Sequence, residues 1–326
     1  MNKLEYSPST SDSFGLHGSV AADASSVHSR WEALFIVLLS VAAGLVLAIV
    51  WSFEVADGML GATIANTTLG VDAKAVSIGG PLFGIIFGFA AGLAATFTAC
   101  NCVVFSCVAP LVAEKQTQRQ SIVRVLGWMV LGVLGVTMLY GAIGVFLRDS
   151  LPILSPARLA IGSGEGYPVR LAQSTVVFVI LGAIFVVWGL HILQLVASPL
   201  HRFSSDHPWL KPLAIGLMVG FFTVGRPFPL FRKAFEYAVD TGNPVLSALV
   251  LALHGLGNIA VVVLLILLLV YGTGGRFQRW IRQHPHGVMI LTAVSMLVGG
   301  TFFIAYWGVR VPSLFGIGWF PQMPYN

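Results

Sequence analysis

All three cysteines of this 326-residue chain lie within eight residues, in the stretch FTACNCVVFSCVAP (residues 97–110). Cys100, Cys102 and Cys107 would be suited to three roles: disulfide exchange with a partner, binding of a soft metal ion, or packing as small buried side chains. Since no cysteine occurs elsewhere in the chain, packing alone explains the cluster poorly. We therefore expect chemistry at this segment.

The spacing of the cysteines restricts which of them can pair. A disulfide needs Cα atoms about 4.4–6.8 Å apart. In one regular helix, Cys100 and Cys107 would share a face but lie ~10.5 Å apart along the axis. Cys102 would point to nearly the opposite side from Cys100. No pair could then bond without a break in the helix. If the helix is broken near residues 98–101, Cys100 and Cys102 can converge, and Cys107 could act as a resolving thiol or third ligand.

The composition decides the class of protein. Hydrophobic residues make up 56% of the chain, charged residues 10%, and the mean hydropathy is +0.87. A soluble domain is usually about a quarter charged, so this is an integral membrane protein. The net charge of +5 is scattered among predicted loops, which argues against a nucleic-acid partner. The basic residues instead indicate membrane topology and contact with lipid headgroups.

Apolar runs predict an all-α polytopic membrane protein with about seven spans. Residues 1–31 are expected to be a disordered tail, residues 32–54 an extra transmembrane helix, and residues 310–326 a C-terminal tail. The other runs cover roughly 78–113, 122–147, 172–198, 212–231, 244–272 and 287–309. The run 78–113 far exceeds the ~20 residues of one crossing, so it must tilt, break or extend past the interface.

The distribution of Lys and Arg predicts the orientation. Counted by alternate loops, the side of the N-terminus carries 10 and the opposite side 8. This bias favours a cytoplasmic N-terminus. We expect a multi-pass protein of the cell membrane (plasma or inner membrane).

Two glycine-rich segments resemble each other: GFAAGLAATFTAC (88–100) and GLMVGFFTVGR (216–226). Glycines lie four apart in both, Gly88 and Gly92 in the first and Gly216 and Gly220 in the second. Each segment is followed by two further apolar runs. The pattern predicts two inverted three-helix repeats, residues 78–198 and 211–309, with a central site between them. Arg226 then occupies the place in the second repeat that corresponds to the cysteines, and it is the natural cation to stabilise a thiolate.

These segments resemble the membrane domain of the CcdA/DsbD family of cytochrome c biogenesis and thiol–disulfide transporters, within the LysE-like superfamily. Phe97-Thr98-Ala99-Cys100 stands where the family has a small-Ser/Thr-Pro-Cys step, and Cys107-Val108-Ala109-Pro110-Leu111 resembles its Cys-Val-Leu-Pro-Leu. The second repeat is similar over GLMVGFFTVGRPFPLFRKAF and GNPVLSALVLALHGLGNIAVVVLLILLL. The resemblance implies thiol–disulfide oxidoreductase activity, no resident cofactor, and a thioredoxin-like or extracytoplasmic redox protein as partner.

The chain departs from the family in its second repeat. The family's redox pair has one cysteine in each repeat, whereas this chain has Val224-Gly225-Arg226 in the second. The standard pair therefore cannot form. We expect Cys100 and Cys102 to exchange disulfides in its place, with Cys107 as the alternate partner and Arg226 beside them.

Two other readings remain open at the level of the sequence. Thiolates in an apolar pocket select Cu(I), Zn or other soft metals, so the protein could transport such an ion or a small solute, with His254 adding a ligand to the three cysteines. Alternatively, it is an assembly partner that keeps the fold without the chemistry.

Each polar residue within the spans also has a structural explanation. His254 and Asn258, at i and i+4, could simply bond neighbouring helices, and His191 is more typical of such a structural role. Arg226 could reach lipid headgroups from the interface. The spans contain no paired carboxylates and no Ser/His/Asp set, which argues against a hydrolase.

Overall fold

The structure is a computed structural model and describes residues 30–96, 119–161, 166–196, 209–273, 276–321 and 323. The three cysteines, the possible break near 98–101 and the N-terminal tail up to residue 29 lie outside the described residues. Within the described ranges, the only sheet is an antiparallel pair of two-residue strands, β1 (Arg158–Leu159) and β2 (Tyr167–Pro168).

Helices form nearly all of the described chain. The first five are α1 (Arg30–Val50), α2 (Ala62–Leu69, continuing a π-helical segment Glu54–Gly61), α3 (Pro81–Ala95), α4 (Arg119–Leu147) and α5 (Val169–Ile192). The next five are α6 (Leu210–Gly225), α7 (Pro229–Asp240), α8 (Pro244–Leu267, with a π-helical end Leu268–Gly272), α9 (Arg276–Gln283) and α10 (Pro285–Ala305). A π-helical segment Tyr306–Arg310 and the short α11 (Val311–Ser313) complete the bundle. Proline begins four of these helices because the first helical residue needs no N–H donor.

Five of the described helices are long and apolar enough to cross a membrane. They are Arg30–Val50, Ile122–Leu147, Val169–Ile192, Pro244–Gly272 and Pro285–Ser313. The bent pair α6 and α7 raises the number to as many as six, and α3 is a shorter apolar helix. The chain is therefore an all-α multi-pass membrane protein. The count of seven stays a prediction, since the apolar run 78–113 is described only to residue 96.

The bend between α6 and α7 follows from the local sequence Arg226-Pro227-Phe228-Pro229. A residue before proline is pushed out of the helical region, and Arg226 is extended, at φ −87° and ψ 131°. Phe228 is extended for the same reason, at φ −75° and ψ 126°. Pro229 then begins α7. The two helix axes differ in direction by 87°.

Glycines allow α3 to pack directly against the backbone of α8. A Cβ atom at Gly92 would collide with the carbonyl oxygen of His254, and one at Gly257 would collide with the carbonyl oxygen of Phe89. Small residues permit this kind of close crossing in membrane bundles. The crossing brings the C-terminal half of α3 against the middle of α8.

The crossing of α6 with α4 is built in the same way. A Cβ atom at Gly216 would collide with the carbonyl oxygen of Met129, and one at Gly132 would lie 2.7 Å from the carbonyl oxygen of Leu213. The two crossings match residue for residue. Gly216 and Leu213 lie 124 positions after Gly92 and Phe89 of the first crossing, and Met129 and Gly132 lie 125 positions before His254 and Gly257. The contacts therefore pair Gly216 with Gly92. The sequence comparison had instead placed Gly216 opposite Gly88.

Helices α4 and α8 run antiparallel and join the two crossings. Ser247 near the start of α8 donates from Oγ to the carbonyl oxygen of Gly141 near the end of α4, at 2.7 Å. Farther along α8, Gly255 faces Thr137, which precedes Gly141 on α4. The pair α3 and α8 consequently runs in the opposite direction to the pair α6 and α4.

Helix α10 packs against both α5 and α1. A Cβ at Gly182 of α5 would lie 2.7 Å from the carbonyl oxygen of Gly300 of α10. A Cβ at Gly300 would likewise lie 2.7 Å from the carbonyl oxygen of Gly182. Arg310, in the π-helical segment that follows α10, is buried and donates from Nη1 to the carbonyl oxygens of Ala48 (2.5 Å) and Trp51 (2.7 Å). These bonds satisfy carbonyls that the end of α1 leaves without helical partners.

Candidate functional site

The structure gathers buried polar residues where α3 and α6 both end beside α8. Three residues singled out from the sequence, Arg226, His254 and Asn258, are all found there and are all buried. Positions 254–258 lie about half-way along the span Pro244–Gly272. The cysteines, also expected here, lie outside the described residues; Cys100 follows Thr96 by four positions in the sequence. We call Thr96, Thr223, Arg226, His254 and Asn258 the central cluster.

Arg226 lies inside the bundle and does not face lipid. Its side chain is only 7% exposed, so the alternative reading as an interfacial residue that reaches headgroups is wrong. Its Nη1 donates to the carbonyl oxygen of Ala95 at 3.4 Å, and its Cζ lies 5.0 Å from the ring centroid of Phe228. The C-terminal end of a helix carries partial negative charge and unpaired carbonyls, so α3 ends against a matching cation.

Asn258 and two threonines connect three helices. Asn258 Nδ2 donates to Thr223 Oγ1 at 2.8 Å, and that hydroxyl donates to the carbonyl oxygen of Val219 at 2.8 Å. Thr96 Oγ1 lies 3.0 Å from the carbonyl oxygen of Asn258 and 3.1 Å from that of Gly257. Polar side chains within the bundle thus satisfy one another.

His254 bonds to the backbone of α3 and contacts α7. The side chain is 1% exposed, and its Nδ1 lies 3.3 Å from the carbonyl oxygen of Gly88. This contact selects the tautomer in which Nδ1–H donates. The imidazole centroid lies 4.9 Å from the ring centroid of Phe231. His254 therefore makes the interhelical bond that the structural reading expected.

One supporting residue was missed at the level of the sequence. Ser174 of α5 is buried and donates from Oγ to the carbonyl oxygen of Gly225 at 2.8 Å. The break after α6 frees this carbonyl, and inside a membrane such a group must find a partner in the protein. A lone serine in an apolar run gives no signal of this role, which depends on the position of α6.

His191 lies apart from the central cluster. It is half-buried near the end of α5, where its Nδ1 lies 3.1 Å from the carbonyl oxygen of Val196. This supports the structural role expected for it. Among the residues that the structure describes, no three His, Cys, Asp or Glu side chains are grouped as metal ligands would be. The proposed ligands Cys100, Cys102 and Cys107 are outside that search.

The chemistry of the central cluster follows from its groups. It contains a permanently charged guanidinium, a neutral imidazole or imidazolium, an amide and two hydroxyls, and it contains no carboxylate. Such a set favours an anion over a cation, since its permanently charged member, Arg226, is positive.

Comparison of the chain with models of protein families, with curated proteins and with solved structures finds no match.

Proposed function

We propose that this protein is a membrane thiol–disulfide carrier in which Cys100, Cys102 and Cys107 are the reacting thiols and Arg226 stabilises a thiolate. The observation that carries the proposal is the contact of Arg226 with Ala95. Cys100 follows Ala95 by five residues, a chain length that spans at most about 18 Å. A buried guanidinium close to the start of the cysteine segment supplies the cationic surroundings that a reactive thiol needs.

The exchange would proceed through a mixed disulfide with a thioredoxin-like or extracytoplasmic redox protein. The Cys100 thiolate attacks one sulfur of the partner's disulfide, the S–S bond breaks, and the partner's other sulfur leaves as a thiolate. The Cys102 thiolate then attacks Cys100 sulfur and releases the partner's second thiolate. The partner gains two electrons and takes up protons, and the carrier is left with a Cys100–Cys102 disulfide. Cys107 would act as the alternate resolving thiol.

The arrangement of the helices supports a carrier with two opposed halves. The matched glycine crossings of α3 with α8 and of α6 with α4 run in opposite directions, as inverted repeats require. The bend after Gly225 and the end of α3 both meet the middle of α8. Inverted repeats with interrupted helices place a site where it can be opened to either side. We propose this architecture, with α1 as an added helix, for the intact protein.

The charges at the two ends of the bundle support a cytoplasmic N-terminus in the cell membrane. Arginine and lysine dominate the end that holds the start of α1 and helix α9. Its basic residues in the described ranges are Arg30, Arg119, Arg124, Lys211, Arg276, Arg279 and Arg282, and its one acidic residue is Glu32. Cytoplasmic ends carry such an excess of positive charge.

A covalent trap tests the proposal. Cys102→Ser combined with Cys107→Ser would leave the mixed disulfide at Cys100 without either resolving thiol, so a complex of higher mass should accumulate in cells and disappear on reduction. The variant that lacks all three cysteines is the matched control and should form no complex. If Cys102→Ser with Cys107→Ser traps no partner in oxidising or reducing growth conditions, the proposal is contradicted.

Soft-metal transport is the second candidate, favoured by the burial of His254 in the same cluster. The same cluster also argues against it. The guanidinium of Arg226 would repel a metal cation bound close by, whereas it would attract a thiolate. The carrier is therefore the function that the geometry supports better.

A further inference from the structure

The last quarter of the chain carries positive charge without any acidic residue. No Asp or Glu follows Asp240 up to the final residue, Asn326. Three arginines lie together in α9, at positions 276, 279 and 282, and two histidines follow at 284 and 286. The sequence therefore leaves these arginines without a nearby acidic neighbour along the chain.

Helix α9 lies between the end of one span and the start of the next. The span that includes α8 ends at Gly272, and α10 begins at Pro285, so α9 belongs to the surface of the membrane. Arg276 and Arg279 are exposed. Trp280 is 50% exposed, and its ring centroid lies 5.4 Å from that of His284.

The residue spacing of α9 is that of a helix lying in the membrane interface. Positions 277, 280 and 281 are Phe, Trp and Ile, at the i, i+3 and i+4 spacing that shares one side of a helix. The arginines at 276 and 279 are three residues apart, on another side. A short basic helix with an apolar aromatic side lies parallel to the membrane, with its aromatic residues at headgroup level.

Two arginines at the opposite end of the bundle form ion pairs within the protein. Arg148 forms an ion pair with Asp240, and Arg232 pairs with Glu236 at 2.6 Å. In the described part of the chain, Arg276 and Arg279 have no such ion pair. These two exposed guanidinium groups are therefore accessible to an external anion.

We propose that α9 binds the headgroups of anionic phospholipids. Arg276 and Arg279 would bind the phosphate oxygens, for which the planar guanidinium is well suited, and Trp280 would fix the depth of the helix at the interface. The site is separate from the central cluster and does not depend on thiol chemistry. It would anchor the connection between α8 and α10 to the anionic leaflet.

Lipid titration of the purified full-length protein tests the site. Native mass spectrometry would give the apparent dissociation constant for dioleoylphosphatidylglycerol and for dioleoylphosphatidylcholine. We expect a preference for phosphatidylglycerol that Arg276→Gln with Arg279→Gln weakens by roughly fivefold for each arginine at low salt. Lysine at both positions should keep most of the preference, because the charge remains.

The matched control removes two charges from the opposite end of the bundle. Lys74→Gln with Arg170→Gln changes the net charge equally and should leave the affinity for phosphatidylglycerol unchanged. Equal weakening by both double variants would show only a general effect of charge and would overturn the proposal. An unchanged affinity in the Arg276 and Arg279 variant, as expected if α9 binds a protein instead, would also overturn it. Unfolding temperatures confirm that both variants are folded.

Discussion

The guanidinium of Arg226 donates to the main-chain carbonyl of Ala95, which lies 131 residues earlier in the chain, at 3.4 Å. This contact joins the end of α3 to the bend that follows α6. Each helix end leaves backbone groups without helical partners, and inside a membrane those groups need partners within the protein. Arg226 meets this need for α3, and Ser174 does so for α6 through Gly225. Arg226 and Ser174 therefore tie the ends of α3 and α6 to neighbouring elements of the bundle.

We expect Arg226→Gln to slow the alkylation of the cysteines by iodoacetamide at neutral pH by about tenfold. The change removes the buried positive charge, and about 1.4 kcal/mol of lost thiolate stabilisation corresponds to one factor of ten. Arg226→Lys should retain part of the rate because the charge is kept, although the planar guanidinium is lost. Rates would be measured on purified, reduced protein.

Arg310→Gln is the control for the loss of a buried arginine. Arg310 also donates to main-chain carbonyls and also contacts an aromatic ring, that of Tyr306 at 5.1 Å, but it holds the end of α1. Its replacement should lower the unfolding temperature without changing the alkylation rate. Equal rates in the wild type and in Arg226→Gln would show that Arg226 does not act on the thiols.

We expect Gly92→Ala and Gly216→Ala to destabilise the protein by similar amounts, about 1–3 kcal/mol each. In both cases the new Cβ atom meets a backbone carbonyl oxygen, that of His254 or that of Met129, which cannot move without shifting a helix. Gly127→Ala is the control, because a Cβ there has no heavy atom within 4 Å and alanine favours helix. Thermal unfolding in detergent measures all three. A Gly92→Ala protein as stable as Gly127→Ala would refute the close crossing of α3 and α8.

We expect a measurable coupling between Asn258 and Thr223. In a double-mutant cycle with Asn258→Leu and Thr223→Val, the interaction should be about 0.6 kcal/mol and at most about 1.7 kcal/mol, as for other hydrogen bonds within membrane bundles. Thr292→Val is the matched control, since Thr292 Oγ1 bonds to Val288 in its own helix. Coupling of the same size with Thr292 would mean that the cycle does not report the Asn258–Thr223 bond.

The carrier and the metal transporter predict different metal contents in cells that lack the protein. If the carrier account is right, deleting the gene leaves tolerance and accumulation of Cu, Zn and Hg unchanged, because the central cluster carries a cation that repels metal ions. Metal content of cells with and without the protein measures this. A metal-specific defect restored by the wild type and not by Cys100→Ser would favour transport of a soft metal.

Much of the fold could be predicted from the sequence because hydrophobic length and proline act locally. The run 122–147 coincides with the observed span Ile122–Leu147. The run 212–231, expected to be one span, instead bends at Arg226-Pro227-Phe228-Pro229, where the two prolines offered a local signal. The register of the two glycine crossings could not be predicted. Glycines four apart lie on the same helix face, so a shift of four residues leaves the pattern equally good, and only the contact of Gly216 with Met129 decides it.

The site was predictable in its residue types and not in its contacts. An arginine, a histidine and an asparagine in apolar runs are conspicuous. Arg226 faces the interior because its guanidinium bonds to Ala95 at the end of α3. That residue lies 131 positions away in the sequence, so no local pattern indicates the contact. The hydroxyls of Thr96 and Ser174 acquire partners only when α8 and α6 are in place, so no local pattern marks them.

The pairing state of the three cysteines tests the central claim most directly. Membranes treated with oxidant or reductant would be denatured and labelled with a maleimide reagent that adds mass to each free thiol, in the wild type and in each single Cys→Ser variant. The carrier account predicts that oxidation protects two of the three thiols in the wild type, and that Cys107→Ser retains this protection through the Cys100–Cys102 pair. If all three thiols label fully under every condition, the protein is not a thiol–disulfide carrier.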